Sequence, residues 1–369
     1  MIRNTTLPLL PALHECGTLK LRKDEVLVTA GGFEDRALAA SQSVVAGRSN
    51  RALVLKYENG DSRNKLGEVL HTLREKGLGV EANDIVCYDR YDPDAFPGGF
   101  ERRLVELEAK KVVVDISAMS KLAILLCLDV CREMNLDVRV FYAEAERYRP
   151  TEKEYQRAKQ ANNLQRPTIQ VYTGVHRVIR ASRLSSVAMQ GQPTAAIVFM
   201  SFNELFTQAL LNTVYPSRLF LINGRPPNLG WREEATAWIH EQLRREWGEE
   251  DNPVEMRPEA SVPLPKRTVS TLEYRETLEV LSLLYWELAI DHRILLAPTG
   301  SKMQTVGCFF AKSIHPDIHI EYPAPKGFLE LYSEEVEQKW IVSFGKLGGM
   351  IGELRRTERK SHIGIPRHS

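Results

Sequence analysis

Several signatures that would assign a chemistry at once are missing from this 369-residue sequence. Its five cysteines, Cys16, Cys87, Cys127, Cys131 and Cys308, form no CxxC pair and no Cys/His cluster of zinc spacing. That excludes a zinc finger or ribbon and a thioredoxin-type redox pair, and an odd, scattered set fits buried thiols in a reducing compartment. An excess of one charge is missing too. Lys and Arg number 49 and Asp and Glu 48, a formal net charge of +1, so bulk electrostatics draw the chain to neither nucleic acid nor membrane. No apolar run approaches the length of a membrane-spanning helix, and no membrane partner is expected. Residues 1–16 lack the basic start and apolar stretch of a signal peptide, so a cytoplasmic location is expected. His240, His292, His315 and His319 show no paired metal spacing, and no metal is expected. Neither GxGxxG nor GxxxxGK[ST] occurs at a strand-to-helix turn, so no cofactor is assigned.

What is present is an alternation. The chain is 43% hydrophobic and 26% charged, ordinary for a globular protein, and long enough for two or three domains with real cores. Short β-rich runs at 26–30, 51–57, 85–88, 111–115 and 137–142 are separated by helical patterns at 34–45, 61–76, 100–109 and 121–134. Strands alternating with helices predict a parallel sheet covered on both faces. A charge-dense stretch at 144–165 reads as an exposed helix or linker, and 169–172 with 175–179 as a small hairpin. The pattern then restarts, with strands at 195–200, 218–222, 254–257, 293–297 and 318–322. Helices are expected between them at 204–214, 231–247, 272–290 and 302–313, and a terminal hairpin at 328–332 and 339–344.

The two runs align residue by residue. Ser301-Lys302 follows Ser120-Lys121 by 181 residues, and Cys308 follows Cys127 by the same interval. Asp317 to Tyr322 repeats Asp137 to Tyr142, and Ser201-Phe202-Asn203 repeats Gly32-Phe33-Glu34. The predicted fold class is α/β: two tandem Rossmann-like domains with mainly parallel sheets, related by internal duplication. The alternative is two unrelated doubly wound domains that share generic patterning. Expected boundaries are 1–150 and 194–345 for the domains, 151–193 for a linker helix and hairpin, and 346–369 for a basic tail. That tail carries Arg355, Arg356, Arg359, Lys360 and Arg367. It reads as a solvated segment, with contact to nucleic acid as the alternative.

In an open parallel sheet, ligands bind beyond the carboxyl ends of the strands where the strand order reverses. After the first strand stand Gly31 and Gly32, which let backbone approach a ligand, then Glu34, Asp35 and Arg36 at a helix start. After the fourth stand Asp115, Ser117, Ser120 and Lys121. A lysine opening a helix opposes the helix dipole, which points to an anionic ligand or to pairing with Asp115. The second half offers Thr299, Gly300, Ser301 and Lys302 at the matching turn, a set suited to phosphate. The plain alternative for each turn is a helix cap kept for folding. Asn223 to Pro227 follows the second half's second strand, where a ribose or base is often met, and Tyr142 and Tyr322 end the fifth strands.

Thr299-Gly300-Ser301-Lys302-Met303 after a strand resembles the Thr-Gly-Gly-Thr-Lys-type turn of CARF domains, with SAVED proteins as relatives built from two fused copies. One glycine of that turn is missing here, and residues 115–121 of the first half contain none. The resemblance implies a Rossmann-like sensor of cyclic oligonucleotides in prokaryotic immunity, with Thr299, Gly300, Ser301 and Lys302, and Ser120 and Lys121, on ligand phosphate or ribose. No nuclease motif and no HEPN-type Arg-x-x-x-x-His pair is visible, so any output passes to an effector partner, the tail or a changed oligomer. Three functions follow as expectations: a nucleotide-type ligand sensor or regulatory subunit; a hydrolase or transferase on a nucleotide or nucleoside, with Glu34, Asp35 and Asp115 as acid/base groups; and a structural subunit of a larger complex.

Overall fold

The computed structural model describes residues 7–58, 60, 62–161, 173–248, 267–328 and 332–363. The strands of its two large sheets, in chain order, are β1 (His14–Glu15), β2 (Glu25–Ala30), β3 (Arg51–Tyr57), β4 (Ile85–Tyr88), β5 (Lys111–Asp115) and β6 (Asp137–Ala143). They continue with β7 (Thr194–Phe199), β8 (Arg218–Arg225), β9 (Thr268–Ser270), β10 (Arg293–Ala297), β11 (His319–Ile320) and β12 (Lys339–Lys346). The helices are α1 (Ala39–Ser43), α2 (Leu66–Glu75), α3 (Phe96–Glu106), α4 (Lys121–Glu133), α5 (Glu152–Gln160) and α6 (Glu204–Val214). After these come α7 (Trp231–Ile239), α8 (Glu241–Trp247), α9 (Tyr274–Leu288), α10 (Lys302–Ile314) and α11 (Leu347–Ile363).

The first sheet runs β1-β12-β6-β5-β2-β3-β4. From β6 to β4 every pairing is parallel, and β12 is antiparallel to both β6 and β1. The second sheet runs β9-β8-β7-β10-β11 and is parallel throughout. Counted along the chain, both parallel sets have the order 3-2-1-4-5, so the order reverses between β2 and β5 in one and between β7 and β10 in the other. The fold is a mixed α/β architecture of Rossmann-like type. All six residues of β2 are buried, as expected for a strand covered on both faces. Leu27, Val54, Val113 and Phe141 anchor the first core, and Val198, Leu210, Leu221 and Leu295 the second.

Helix patterns held where an apolar stripe was continuous. α4 buries ten consecutive residues from Leu122 to Cys131 and is capped by Ser120. The segment 34–45 behaves otherwise. It forms a 3-10 turn at Asp35–Leu38, a five-residue α1, and a short strand at Val44–Val45 paired with Leu19–Lys20. Its β-branched end favours the strand over a further turn of helix. The pattern at 231–247 is broken at His240, which is buried between Thr236 O and Thr207 Oγ1. Burial pulls its pKa down to about 4 and keeps the ring neutral.

Three expectations are corrected. Of the expected terminal hairpin, 329–331 lie outside the described residues, and its second strand, β12, joins the edge of the first sheet beside β6, while Ser333–Glu334 pairs with Arg147–Tyr148. The third strand of the second sheet is β9, three residues of mixed polarity whose pattern is too short to read; the expected strand at 254–257 lies outside the described residues, as does 169–172. Residues 223–225 are strand rather than loop, paired with β9. The basic segment from 347 is helix α11, which buries Leu347, Ile351, Leu354 and Glu358 at helical spacing. The chain accordingly divides into one compact unit of Pro11–Arg177 with Ala324–Gly348, and another of Val178–Pro323 with the first ten residues and Gly349–Ser369. These discontinuous units replace the contiguous boundaries 1–150 and 194–345.

Candidate functional site

In the first unit the reversal of strand order lies between the carboxyl ends of β2 and β5. Asp115 ends β5 and is fully buried, with Oδ2 accepting from Thr29 Oγ1 at 2.8 Å and Oδ1 from Ser117 N at 3.0 Å. Ser117 is equally committed, its Oγ accepting the Ala143 N–H at 2.9 Å. These bonds tie β5 to β2 and β6. Ser120 caps α4 by accepting from Ala123 N at 3.2 Å. Its own N–H donates to Tyr57 Oη at 2.7 Å, and its hydroxyl to Tyr88 Oη at 3.3 Å. The two tyrosine rings meet edge to face with centroids 5.4 Å apart. Burial pushes the Tyr57 phenol up to about 12, so it remains a neutral hydrogen-bonding group. Tyr57 and Tyr88 were not singled out from the sequence; the available signal was a tyrosine closing each of two neighbouring strands.

Gly31 and Gly32 serve packing. A Cβ on Gly31 would lie 2.9 Å from Leu66 Cβ, and one on Gly32 would lie 2.8 Å from Ala118 Cβ. Asn64 Nδ2 donates to Gly31 O at 3.0 Å, and Lys65 N to Gly32 O at 2.8 Å. Asp35 pairs with Lys65 at 2.7 Å and accepts the Glu335 N–H at 3.0 Å, which together hold its pKa below the usual carboxylate range. Glu34 and Arg36 form a buried two-point pair at 2.7 and 3.1 Å. The Arg36 guanidinium also reaches Tyr142 Oη at 3.5 Å and lies 5.7 Å from the Tyr148 ring centroid.

Lys121 stands apart from these closed pairs. It is the first residue of α4, is partly buried, and has neither a hydrogen bond nor an ion pair among the described residues. Its pKa is pulled down to about 8, first by desolvation and then by the Arg36 charge, with Glu34 opposing. A lysine left unpaired beside a helix N-terminus gains from an anion bound there.

No protein-family model matches this chain. No curated protein matches it either. The assignment therefore rests on the arrangement of the side chains.

In the second unit the same turn is more thoroughly used by the fold. Thr299 donates through Oγ1 to Phe199 O, and Ser301 through Oγ to Thr271 O at 2.6 Å. Ser301 and Gln304 form a reciprocal capping box at the start of α10, and Gly300 lies against the Gln304 amide. Lys302 opens the helix. Asn223 is bonded to Glu233 O and to Gly224 N, and Arg225 pairs with Glu276 at 3.0 Å. Tyr142 and Tyr322 are both buried. Among the described residues, no group of three His, Cys, Asp or Glu could hold a metal ion, and no helix is long and apolar enough to cross a membrane.

Proposed function

We propose that this protein is a sensor or regulatory subunit for a nucleotide-type ligand, with a phosphate held at the N-terminus of α4 by Lys121. The observation that carries the reading is the partly buried Lys121 at the point where strand order reverses, without an ion pair among the described residues and near the mutually paired Glu34 and Arg36. The acid/base reading is weaker, because Asp115, Asp35 and Glu34 are each committed to donors within the fold. An aromatic surface near the same loop supports a nucleotide. Phe33 packs on Phe328 with centroids 4.6 Å apart, and the Arg63 guanidinium lies 5.2 Å from the Phe33 ring. Arginine and aromatic faces of this kind receive bases by stacking. The likeness of the Thr299 turn to CARF domains supports a role in prokaryotic antiviral defence, with output through a partner protein or a change of oligomer.

One observation favours an enzyme: a lysine with a pKa near 8 is a competent base or nucleophile. A single experiment separates the readings. The protein is melted against mononucleotides, dinucleotide cofactors, S-adenosylmethionine and cyclic di- to hexanucleotides. A ligand at one hundred times its Kd adds about 2.7 kcal/mol, a shift of several degrees. The sensor reading expects such a shift, lost in Lys121→Met, with the ligand recovered unchanged. Recovery of a converted product assigns an enzyme, and no shift with any compound overturns both.

A further inference from the structure

Two side-chain amides in the second unit are only half used by the fold. Asn203 caps α6, its Oδ1 accepting the Leu205 N–H at 3.1 Å. Gln304 is the third residue of α10, its Oε1 accepting the Ser301 N–H at 2.7 Å. Each carbonyl is committed, so each amide has a fixed orientation. The opposite ends, Asn203 Nδ2 and Gln304 Nε2, have no hydrogen-bond partner among the described residues, although the two residues are only 0% and 2% exposed. A buried donor left unsatisfied costs about 1–3 kcal/mol.

Capping uses only one end of each amide. Aspartate at 203 and glutamate at 304 would supply the same cap oxygen but would bury a charge, so the amide keeps each cap neutral and leaves its NH₂ as the uncommitted end. The amides also share a location. They open the helices that follow the adjacent strands β7 and β10, at the carboxyl edge of the sheet where its strand order reverses. Gln304 Nε2 lies over the end of β8, where a Cβ on Gly224 would stand 3.5 Å from it. The Thr299 and Ser301 hydroxyls are spent on backbone carbonyls, whereas the two NH₂ groups have no acceptor among the described residues.

We propose that the second unit has its own oxyanion site, in which Asn203 Nδ2 and Gln304 Nε2 donate to a phosphoryl group. This rests on the ligand-binding reading above and names the chemistry the second unit recognises. With both carbonyls held by the caps, the site offers donors alone and selects a group that only accepts. The positive ends of α6 and α10 and the adjacent Lys302 favour an anion over a neutral carbonyl. Both donors are shut off from water, so binding requires the surrounding turns to open, a movement that a sensor can transmit.

The test titrates the full-length protein with inorganic phosphate while the side-chain NH₂ signals of Asn203 and Gln304 are followed by NMR. Asn203→Asp and Gln304→Glu keep each cap oxygen and turn each donor into an anionic acceptor. The expected result is a phosphate-dependent shift of both signals in the wild type. Each variant should bind phosphate at least tenfold more weakly at this site. Lys121→Met removes the contribution of the first unit, so any remaining response reports the second unit alone. Unmoved amide signals, or unchanged phosphate affinity in both variants, overturn the proposal. If phosphate binding then disappears only in Lys121→Met, the site in the first unit stands without this one.

Discussion

Lys121 combines two effects that a single substitution separates. Its folded pKa lies near 8, below the ordinary lysine value of about 10.4, because charge is disfavoured where it sits. Below pH 8 both folded and unfolded chains carry the proton and the penalty is fully present. Between pH 8 and about 10.4 the unfolded chain binds more protons, so stability rises with pH across that window. Lys121→Met should therefore raise the unliganded stability at pH 7 by about 1–3 kcal/mol, read from urea unfolding, while abolishing nucleotide binding. Affinity for an anionic ligand in the wild type should fall as pH rises through about 8, and calorimetry at pH 7 and 9 checks it. Asp115 behaves in the opposite way. Both of its oxygens accept from donors, so Asp115→Asn turns an NH₂ against Thr29 or Ser117. We expect a loss of about 1–3 kcal/mol in unfolding free energy with ligand affinity of the folded protein unchanged.

The loops after β2 and β5 are interlocked by small residues. A methyl group on Gly32 would press on Ala118 Cβ at 2.8 Å, and neither position has a flexible side chain that can move aside. Gly32→Ala should lower stability by about 1–3 kcal/mol and weaken ligand binding together, because it displaces the segment that leads to Lys121. At the other edge, the carboxylate of Asp84 is burdened by burial but receives the Glu81 N–H, Arg51 and Arg103. Those bonds prevail, and its pKa lies below the ordinary carboxylate value. Its stabilising contribution is present above pH 4 or so and is lost as pH falls through the folded pKa. Asp84→Asn should flatten the acid limb of the stability profile measured by circular dichroism. The helices that were legible, α4, α6, α9 and α10, are those with continuous apolar stripes. The pattern at 34–45 reads as one helix because alanines and a leucine suit helix and tight turn alike, and only pairing with Leu19–Lys20 selects the short strand.

For the whole molecule, the chain's last segments complete both units. β12 lies between β1 and β6 in the first sheet, and α11 packs in the second unit, where Glu358 accepts from Trp286 Nε1 at 3.0 Å and pairs with His315 at 3.2 Å. A chain stopped after Gln338 loses both elements. It should unfold at markedly lower urea than the wild type, with early loss of amide protection in β6, which becomes an edge. The alternation of apolar strands with amphipathic helices determined by itself that this is a parallel α/β protein. The aligned Ser-Lys turns marked both strand-order reversals, because a strand period of two and a helix period near 3.6 are local properties of the chain. What tertiary structure alone decided is the use of each polar group at those turns. A Ser, Asp or Gly reads the same in sequence whether it caps a helix, packs against a neighbouring loop or faces a ligand. Asp115, Ser117, Thr299 and Ser301 were assigned to fold contacts only when strands and loops far apart in sequence supplied their partners. The same long-range pairing left Lys121 without an ion pair among the described residues and the Asn203 and Gln304 NH₂ groups without acceptors there. It also carried β12 back to the first sheet, since the exposed edge of β6 is completed by backbone hydrogen bonds that no local pattern encodes.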